Sequence, residues 1–241
     1  MSLDENRADG NASADDLPRI VQLASPAPGV RLWWCDLHAS PSQLQCCESL
    51  LSEAERARAT RYGLELLRDR YVIGRASLRR VLGRTFGVQP ADVTIIRGER
   101  GRPRPGGETT LDFNISHTGG VALLGTLNGA RIGVDIERVD RRINVAGLAR
   151  KFLTENERAF LAALEPDAAR RAVLHLWTCK EAMSKATGDA LTAPFARLDV
   201  ELRGGPKLRS GPGAYRPERW SLHAAGVPDA YVATIAILRP S

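Results

Sequence analysis

The chain has 241 residues, with 34 Lys and Arg residues against 28 Asp and Glu residues and a formal net charge of +6. No apolar run approaches the ~18 residues that a membrane-spanning helix needs, and the four cysteines match no zinc-binding spacing and follow no signal peptide. The positive charge suits nucleic acid, an anionic ligand or an acidic protein, but no zinc-finger motif, RNP-type strand or dense Lys/Arg tract is present. We therefore expect a cytoplasmic protein that binds neither membranes nor nucleic acid.

The first elements are predicted from composition and capping signals. Residues 1–18 are rich in Asp, Asn, Ala and Ser, which predicts a disordered tail, and residues 31–37 predict a strand. Ser52 and Thr154 each begin a capping box, the pattern that starts a helix, and they lie 102 positions apart (154 − 52).

Further pairs of elements recur at a similar spacing. The longer helices are predicted to end at Gly83 and Gly188, which are 105 positions apart (188 − 83). Paired strands are predicted at 111–115 with 121–127, and again at 220–222 with 231–238. The near-constant offset indicates a diverged internal duplication.

The predicted fold class is therefore α+β, with a tail at residues 1–18 and two similar halves. The halves are residues 19–130 and 131–241, each a small antiparallel sheet packed by a long helix. The seam between such halves is the natural cleft, so we expect the active site there. The arginine-rich segments 97–107 and 204–217 are predicted to be loops.

Gly133–Glu137 is predicted to be a strand that presents two carboxylates. Side chains alternate along a strand, so Asp135 and Glu137 share one face while Val134 and Ile136 share the other. The two carboxylates are then about 6 to 7 Å apart. Taken alone, the pair also fits an ordinary solvated strand face.

A third carboxylate comes from the helical stretch Trp177–Lys185. Trp177, Glu181 and Lys185 lie four residues apart and share one stripe, so Glu181 can face the strand carboxylates. Oxygen donors without nearby His or Cys favour a hard cation such as Mg²⁺, completed by substrate phosphate and water. The alternative is that Glu181 and Lys185 form only a helix-stabilising pair.

Ser116 and His117 lie near the end of the strand that begins at Phe113, before Gly119 and Gly120. They offer a second kind of chemistry, a Ser-His nucleophilic dyad. However, adjacent strand residues point to opposite faces, which argues against the hydrogen bond that a dyad needs.

Three ordered motifs carry a family resemblance: Phe113–Thr118, Gly133–Glu137 and Trp177–Lys185. Together they resemble the 4′-phosphopantetheinyl transferases, in particular the larger, monomeric group typified by the surfactin synthetase enzyme. The resemblance extends over about residues 50 to 238. It implies transfer of the phosphopantetheine arm of coenzyme A to a serine of an apo acyl or peptidyl carrier protein, with release of 3′,5′-ADP. Mg²⁺, or Mn²⁺ in its place, is expected on the diphosphate, in polyketide or nonribosomal peptide biosynthesis.

The resemblance also implies residue roles around the metal. Asp135, Glu137 and Glu181 would hold it, and Lys185 would face the phosphates. Ser116 and His117 would contact the nucleotide end of coenzyme A, with His117 at the 3′-phosphate. Glu181 is also our candidate for the general base that accepts the serine proton.

Several arginines extend the implied coenzyme A site. Arg70 and Arg75 match the family's basic helix that meets coenzyme A phosphates, and Arg58 is a further candidate. Arg102 stands in Gly101-Arg102-Pro103, where the family commonly has Gly-Lys-Pro. The planar fork of arginine suits phosphate oxygens, although such residues also simply solvate helices.

Two other functions remain open for the chain. One is a catalytically silent carrier-binding protein with the same fold, which the complete set of carboxylates and Lys185 argues against. The other is a Mg²⁺-dependent phosphohydrolase that uses the same carboxylates.

Overall fold

The computed structural model of the chain describes residues 17–98, 100–142 and 144–240. Most of the predicted tail, residues 1–18, lies outside these ranges. The described chain divides into two compact units. Residues 37–91 form a helical unit together with residues 17–19, and the second unit comprises residues 20–36 and 92–240.

The helical unit contains three helices, α1 (Pro41–Ser49), α2 (Glu53–Ala59) and α3 (Glu65–Phe86). The predicted capping box at Ser52 is confirmed, with Glu55 as its reciprocal partner. The predicted stop of α3 at Gly83 is wrong, because the helix continues to Gly87, whose φ of 70° is the left-handed conformation that glycine tolerates. A Cβ at Gly83 would lie 2.8 Å from the Val88 carbonyl oxygen, so glycine is needed there where the chain folds back against the helix.

The second unit holds all the strands and three helices, listed here in chain order. They are β1 (Ile20–Leu23), β2 (Arg31–Asp36), β3 (Ile95–Arg97), β4 (Pro103–Pro105), β5 (Leu111–Thr118), β6 (Val121–Asn128), β7 (Arg131–Arg138), α4 (Val145–Phe152), α5 (Glu155–Ala162), α6 (Pro166–Thr187), β8 (Asp199–Glu201), β9 (Lys207–Ser210), β10 (Trp220–Ala224) and β11 (Tyr231–Leu238). The predicted hairpins at β5–β6 and β10–β11 are confirmed. The two segments predicted as loops are not wholly irregular, because they contain β4 and β9.

The strands form two larger antiparallel sheets and two short hairpins. The first sheet has the order β1-β2-β6-β5 and the second the order β10-β11-β7, while β3–β4 and β8–β9 pair separately. Thus β5 and β7 are edge strands of different sheets. Their contact determines where the predicted carboxylates lie.

Side chains of β5 bind the backbone of β7 directly. The Ile132 N–H donates to Asp112 Oδ2 at 2.8 Å, and the Val134 N–H donates to Asn114 Oδ1 at 3.0 Å. These N–H groups would otherwise be unpaired at a buried sheet edge, which is costly. The junction brings the middle of β7, with Asp135, beside the middle of β5.

Helix α6 packs closely against β7 and β11. At Gly133 a Cβ would lie only 1.8 Å from the Ala182 carbonyl oxygen, so the helix backbone rests directly on the strand. Apolar residues of α6, including Val173, Leu176 and Met183, form the core on this side. The packing holds Glu181 and Lys185 over the face of β7 that carries Asp135.

Gly133→Ala should therefore destabilise the fold and disturb the carboxylate cluster. The added methyl group cannot move away from a helix backbone, so we expect a loss at or above the upper end of the ~1–3 kcal/mol typical of overpacking. Urea unfolding would measure the change. Gly226→Ala is the matched control, because a Cβ there meets nothing within 4 Å. Equal effects of the two substitutions would contradict the close packing of α6 on β7.

The duplication predicted from the sequence is supported by the two long helices. Both α3 and α6 have 22 residues, and both end at a left-handed glycine, Gly87 and Gly188. These glycines are 101 positions apart (188 − 87), close to the 102-residue offset of the capping boxes. The α+β fold class is confirmed, whereas the boundary at residue 130 and a site at the seam remain predictions. Within the described residues, no helix has the length and apolar character to cross a bilayer.

Candidate active site

Asp135 lies at the centre of a buried polar cluster. Its Oδ1 accepts hydrogen bonds from Ser116 Oγ at 2.8 Å and from Lys185 Nζ at 2.6 Å, and Lys185 Nζ also donates to Ser116 Oγ at 2.7 Å. Its Oδ2 is buried and has no hydrogen-bond partner among the described residues. An unpaired buried carboxylate oxygen is costly, so Oδ2 is a position where a cation or a donor would be strongly stabilised.

Glu137 and Glu181 complete the predicted set. Glu137 accepts a hydrogen bond from Thr118 Oγ1 at 3.4 Å and pairs with Arg141. Burial, followed by the negative charge of Asp135, raises the pKa of Glu137 and also that of Glu181. The three carboxylates are thus near enough to repel one another, as the strand and helix spacings predicted.

The cluster matches Mg²⁺ in donor chemistry and charge. Its donors are carboxylate oxygens, which Mg²⁺ prefers, and the partnerless Asp135 Oδ2 is a ready ligand. Within the part of the chain that the structure describes, however, no three His, Cys, Asp or Glu side chains converge closely enough to hold a metal ion as they stand. Lys185 and Arg141 instead supply the positive charge at Asp135 and Glu137. Coordination by all three carboxylates remains a prediction.

Ser116 and His117 lie on different faces of β5. Ser116 is buried and its hydroxyl contacts Asp135 and Lys185, whereas His117 is exposed. The alternation that argued against a Ser-His dyad is observed. Ser116 is therefore placed to orient the lysine and the carboxylate.

Three of the predicted arginines belong to the helical unit. Arg75 donates from Nε and Nη2 to Glu55 Oε1 at 2.9 and 2.6 Å, and Arg58 lies over the Tyr71 ring at 5.7 Å. Burial would raise the pKa of Glu55, but Arg75 and the hydrogen bonds from Ser52 and the arginines hold it below its usual value. The Nε of Arg70 is buried without a partner among the described residues. Their roles toward coenzyme A remain predictions.

Arg102, in the second unit, is surrounded by protein acceptors. It forms a bidentate ion pair with Asp112, with both N–O distances at 2.7 Å, and its Nε donates to the Lys185 carbonyl oxygen at 2.8 Å. The sequence motif suggested a phosphate contact but gave no sign of this partner.

An arginine-rich cavity of about 940 Å³ lies at the other end of β5 and β7. Its lining includes Leu111 and Asp112 of β5, and the following arginines: Arg100, Arg102, Arg104, Arg131, Arg219 and Arg239. Ser116 and Asp135 are each four residues along their strands from this end, about 13 Å. The cavity is therefore separate from the carboxylate cluster.

Sequence reasoning missed two charged contacts. Arg141 follows β7 in an irregular segment, where no periodic signal places it beside Glu137. Lys180 is fully buried and donates to Glu157 Oε2 at 2.6 Å and to the Phe152 and Phe195 carbonyl oxygens. A lysine within the apolar stripe of α6 was the available signal for this structural ion pair.

Comparisons with known proteins agree across most of the chain. Residues 131–236 match the family model of the 4′-phosphopantetheinyl transferase superfamily, and residues 36–128 match the model described as 4′-phosphopantetheinyl transferase, N-terminal. The 4′-phosphopantetheinyl transferase HetI of Nostoc sp. is 33% identical over 226 residues, which are 92% of each chain. The 4′-phosphopantetheinyl transferase Sfp of Bacillus subtilis is 27% identical over 64% of this chain and 67% of its own. A holo-(acyl-carrier-protein) synthase from Bacillus anthracis, solved in complex with CoA (3′,5′-ADP), is 25% identical over 46% of this chain and 96% of its own, with a TM-score of 0.39.

Proposed function

Because this chain belongs to the 4′-phosphopantetheinyl transferase superfamily and is an enzyme of the Sfp-like type, we propose that it moves the 4′-phosphopantetheine arm of coenzyme A to a serine of an apo acyl or peptidyl carrier protein. The reaction would release 3′,5′-ADP and depend on Mg²⁺. The family relationship supports carrier-protein modification. The metal, the leaving group and the serine acceptor are part of the proposal.

The observation that carries the Mg²⁺ proposal is the free oxygen of Asp135. Oδ1 is held by Ser116 and Lys185, so the side chain is fixed, and Oδ2 is left buried without a partner among the described residues. Glu137 and Glu181 would complete the ligand set. When bound, Mg²⁺ would neutralise the diphosphate and polarise the reacting phosphoryl group.

The chain's own residues would supply the remaining chemistry. The Lys185 ammonium group, 2.6 Å from Asp135 Oδ1, would stabilise negative charge on the phosphates. Glu181 would accept the proton of the carrier serine, and its raised pKa brings it closer to neutral pH, where a general base is most effective. Ser116 would hold Lys185 and Asp135 in their relative orientation.

We also propose that Arg58, Arg70, Arg75 and His117 bind the phosphates of coenzyme A. Arg70 has a buried Nε without a partner, and the two Arg75 contacts to Glu55 leave its Nη1 for a further acceptor. Guanidinium groups bind phosphate oxygens in pairs, which suits this role. His117 is exposed on β5 and is our candidate for the 3′-phosphate contact.

Alanine at His117 should raise the KM for coenzyme A more than the KM for the carrier. A lost charge-assisted hydrogen bond of ~1.5–3 kcal/mol corresponds to roughly a ten- to hundredfold change. Dephospho-coenzyme A lacks the 3′-phosphate, so the difference between wild type and His117→Ala should disappear on that substrate. An undiminished difference would contradict the 3′-phosphate contact.

Incubation with coenzyme A, with and without an apo carrier, tests the function as a whole. Release of 3′,5′-ADP only when the carrier is present, with a mass gain on its serine, is the expected result. Release without carrier would instead identify a phosphohydrolase. Carrier binding without any release would identify a binding protein.

A further inference from the structure

The guanidinium group of Arg102 is almost completely used within the protein. Nη1 and Nη2 pair with the two oxygens of Asp112, and Nη2 also donates to the Phe113 and Ile132 carbonyl oxygens at 3.1 and 2.7 Å. Nε donates to the Lys185 carbonyl oxygen. Both side chains of the pair are largely buried, at 11% and 13% exposure.

These contacts leave little capacity for a phosphate. An arginine has five N–H donors, and each nitrogen of Arg102 already has a protein acceptor. Turning the group toward a ligand would leave the Asp112 carboxylate buried and unpaired, which is strongly unfavourable. A lysine at this position has a single nitrogen and could not make the same set of bonds.

The acceptors belong to the three elements that build the carboxylate cluster. Phe113 lies on β5 three residues before Ser116, Ile132 lies on β7 three residues before Asp135, and the Lys185 carbonyl belongs to α6. Asp112 also accepts the Ile132 N–H. One ion pair thus fixes the strand and helix positions on which the Lys185–Ser116–Asp135 contacts depend.

We infer that Arg102 and Asp112 form a positioning pair that sets the spacing of α6, β5 and β7 at the active site. This inference rests on the proposed transferase function. Arg102 acts through the backbone of other residues and does not touch coenzyme A. The arginine, where related sequences commonly have lysine, is matched to Asp112 and not to a substrate phosphate.

Steady-state kinetics with Arg102→Lys, Arg102→Gln and Asp112→Asn test the inference, using coenzyme A and dephospho-coenzyme A with a saturating apo carrier. We expect kcat to fall in all three, by about 10²-fold for Arg102→Gln, the cost of an ångström-scale misplacement. The loss should be equal on both coenzymes, and lysine should not restore it. Asp112→Asn keeps the arginine charge, so it separates positioning from phosphate binding in a variant close to the native shape.

Thermal unfolding and a core control exclude a general loss of stability. Leu208→Ala truncates a buried side chain of β9 and should lower the melting temperature while leaving kcat nearly unchanged below it. The inference is overturned if Arg102→Lys retains wild-type kcat, if the Arg102→Gln penalty vanishes on dephospho-coenzyme A, or if Asp112→Asn is fully active. Absence of turnover in the wild-type enzyme would instead overturn the proposed function.

Discussion

Removal of divalent cations and the substitution Asp135→Ala are both expected to reduce transfer by at least ~10³-fold. This factor corresponds to about 4 kcal/mol of transition-state stabilisation, in the range of a metal ion that neutralises developing phosphate charge. Excess EDTA should stop turnover, and Mg²⁺ or Mn²⁺ should restore it in the wild type but not in Asp135→Ala. Full turnover in excess chelator would rule out the metal assignment.

Asp140→Ala is the matched control for the Asp135 variant. Asp140 is an exposed carboxylate just beyond β7, and it pairs with Arg138 rather than with the cluster. Its removal changes the net charge by the same amount. Its activity and metal dependence should remain those of the wild type, so a comparable loss there would show that charge alone explains the Asp135 result.

Glu181→Gln should lower kcat by about 10² to 10⁴, the usual loss when a general base is removed, while coenzyme A binding is kept. The amide has nearly the same shape as the carboxylate but cannot accept the serine proton. Calorimetry of coenzyme A binding and turnover at saturating Mg²⁺ separate the two possible roles. If high Mg²⁺ restores turnover, Glu181 is a metal ligand and not the base.

The same variant has an expected effect on stability. Burial and Asp135 raise the pKa of Glu181 in the folded state above the ordinary value of 4.5. Ionisation is therefore harder in the folded than in the unfolded chain, so this group's contribution to stability falls as pH rises from 4.5 through the folded pKa. Without divalent cations, Glu181→Gln should melt at a higher temperature than wild type at pH 7, and the difference should shrink near pH 4.

The sequence was sufficient for the parts of the site that depend on local periodicity. Alternation along β7 placed Asp135 and Glu137 on one face, and the four-residue spacing on α6 placed Glu181 and Lys185 on one stripe. Partners between distant segments were not accessible in this way. Asp112 meets Arg102 only because β5, β7 and α6 pack together, and Gly83 was misread as a helix end because its close contact with the returning chain is tertiary.

The side-chain junction between β5 and β7 also protects the protein from self-association. Both strands are sheet edges, and an uncovered edge offers free N–H and C=O groups to any extended chain that arrives. Asp112 and Asn114 occupy the Ile132 and Val134 N–H groups, so each edge is closed by the other without a continuous backbone ladder. Apolar residues at these two positions would open a template for intermolecular strand pairing, and aggregation would then compete with folding before any loss of chemistry was noticed.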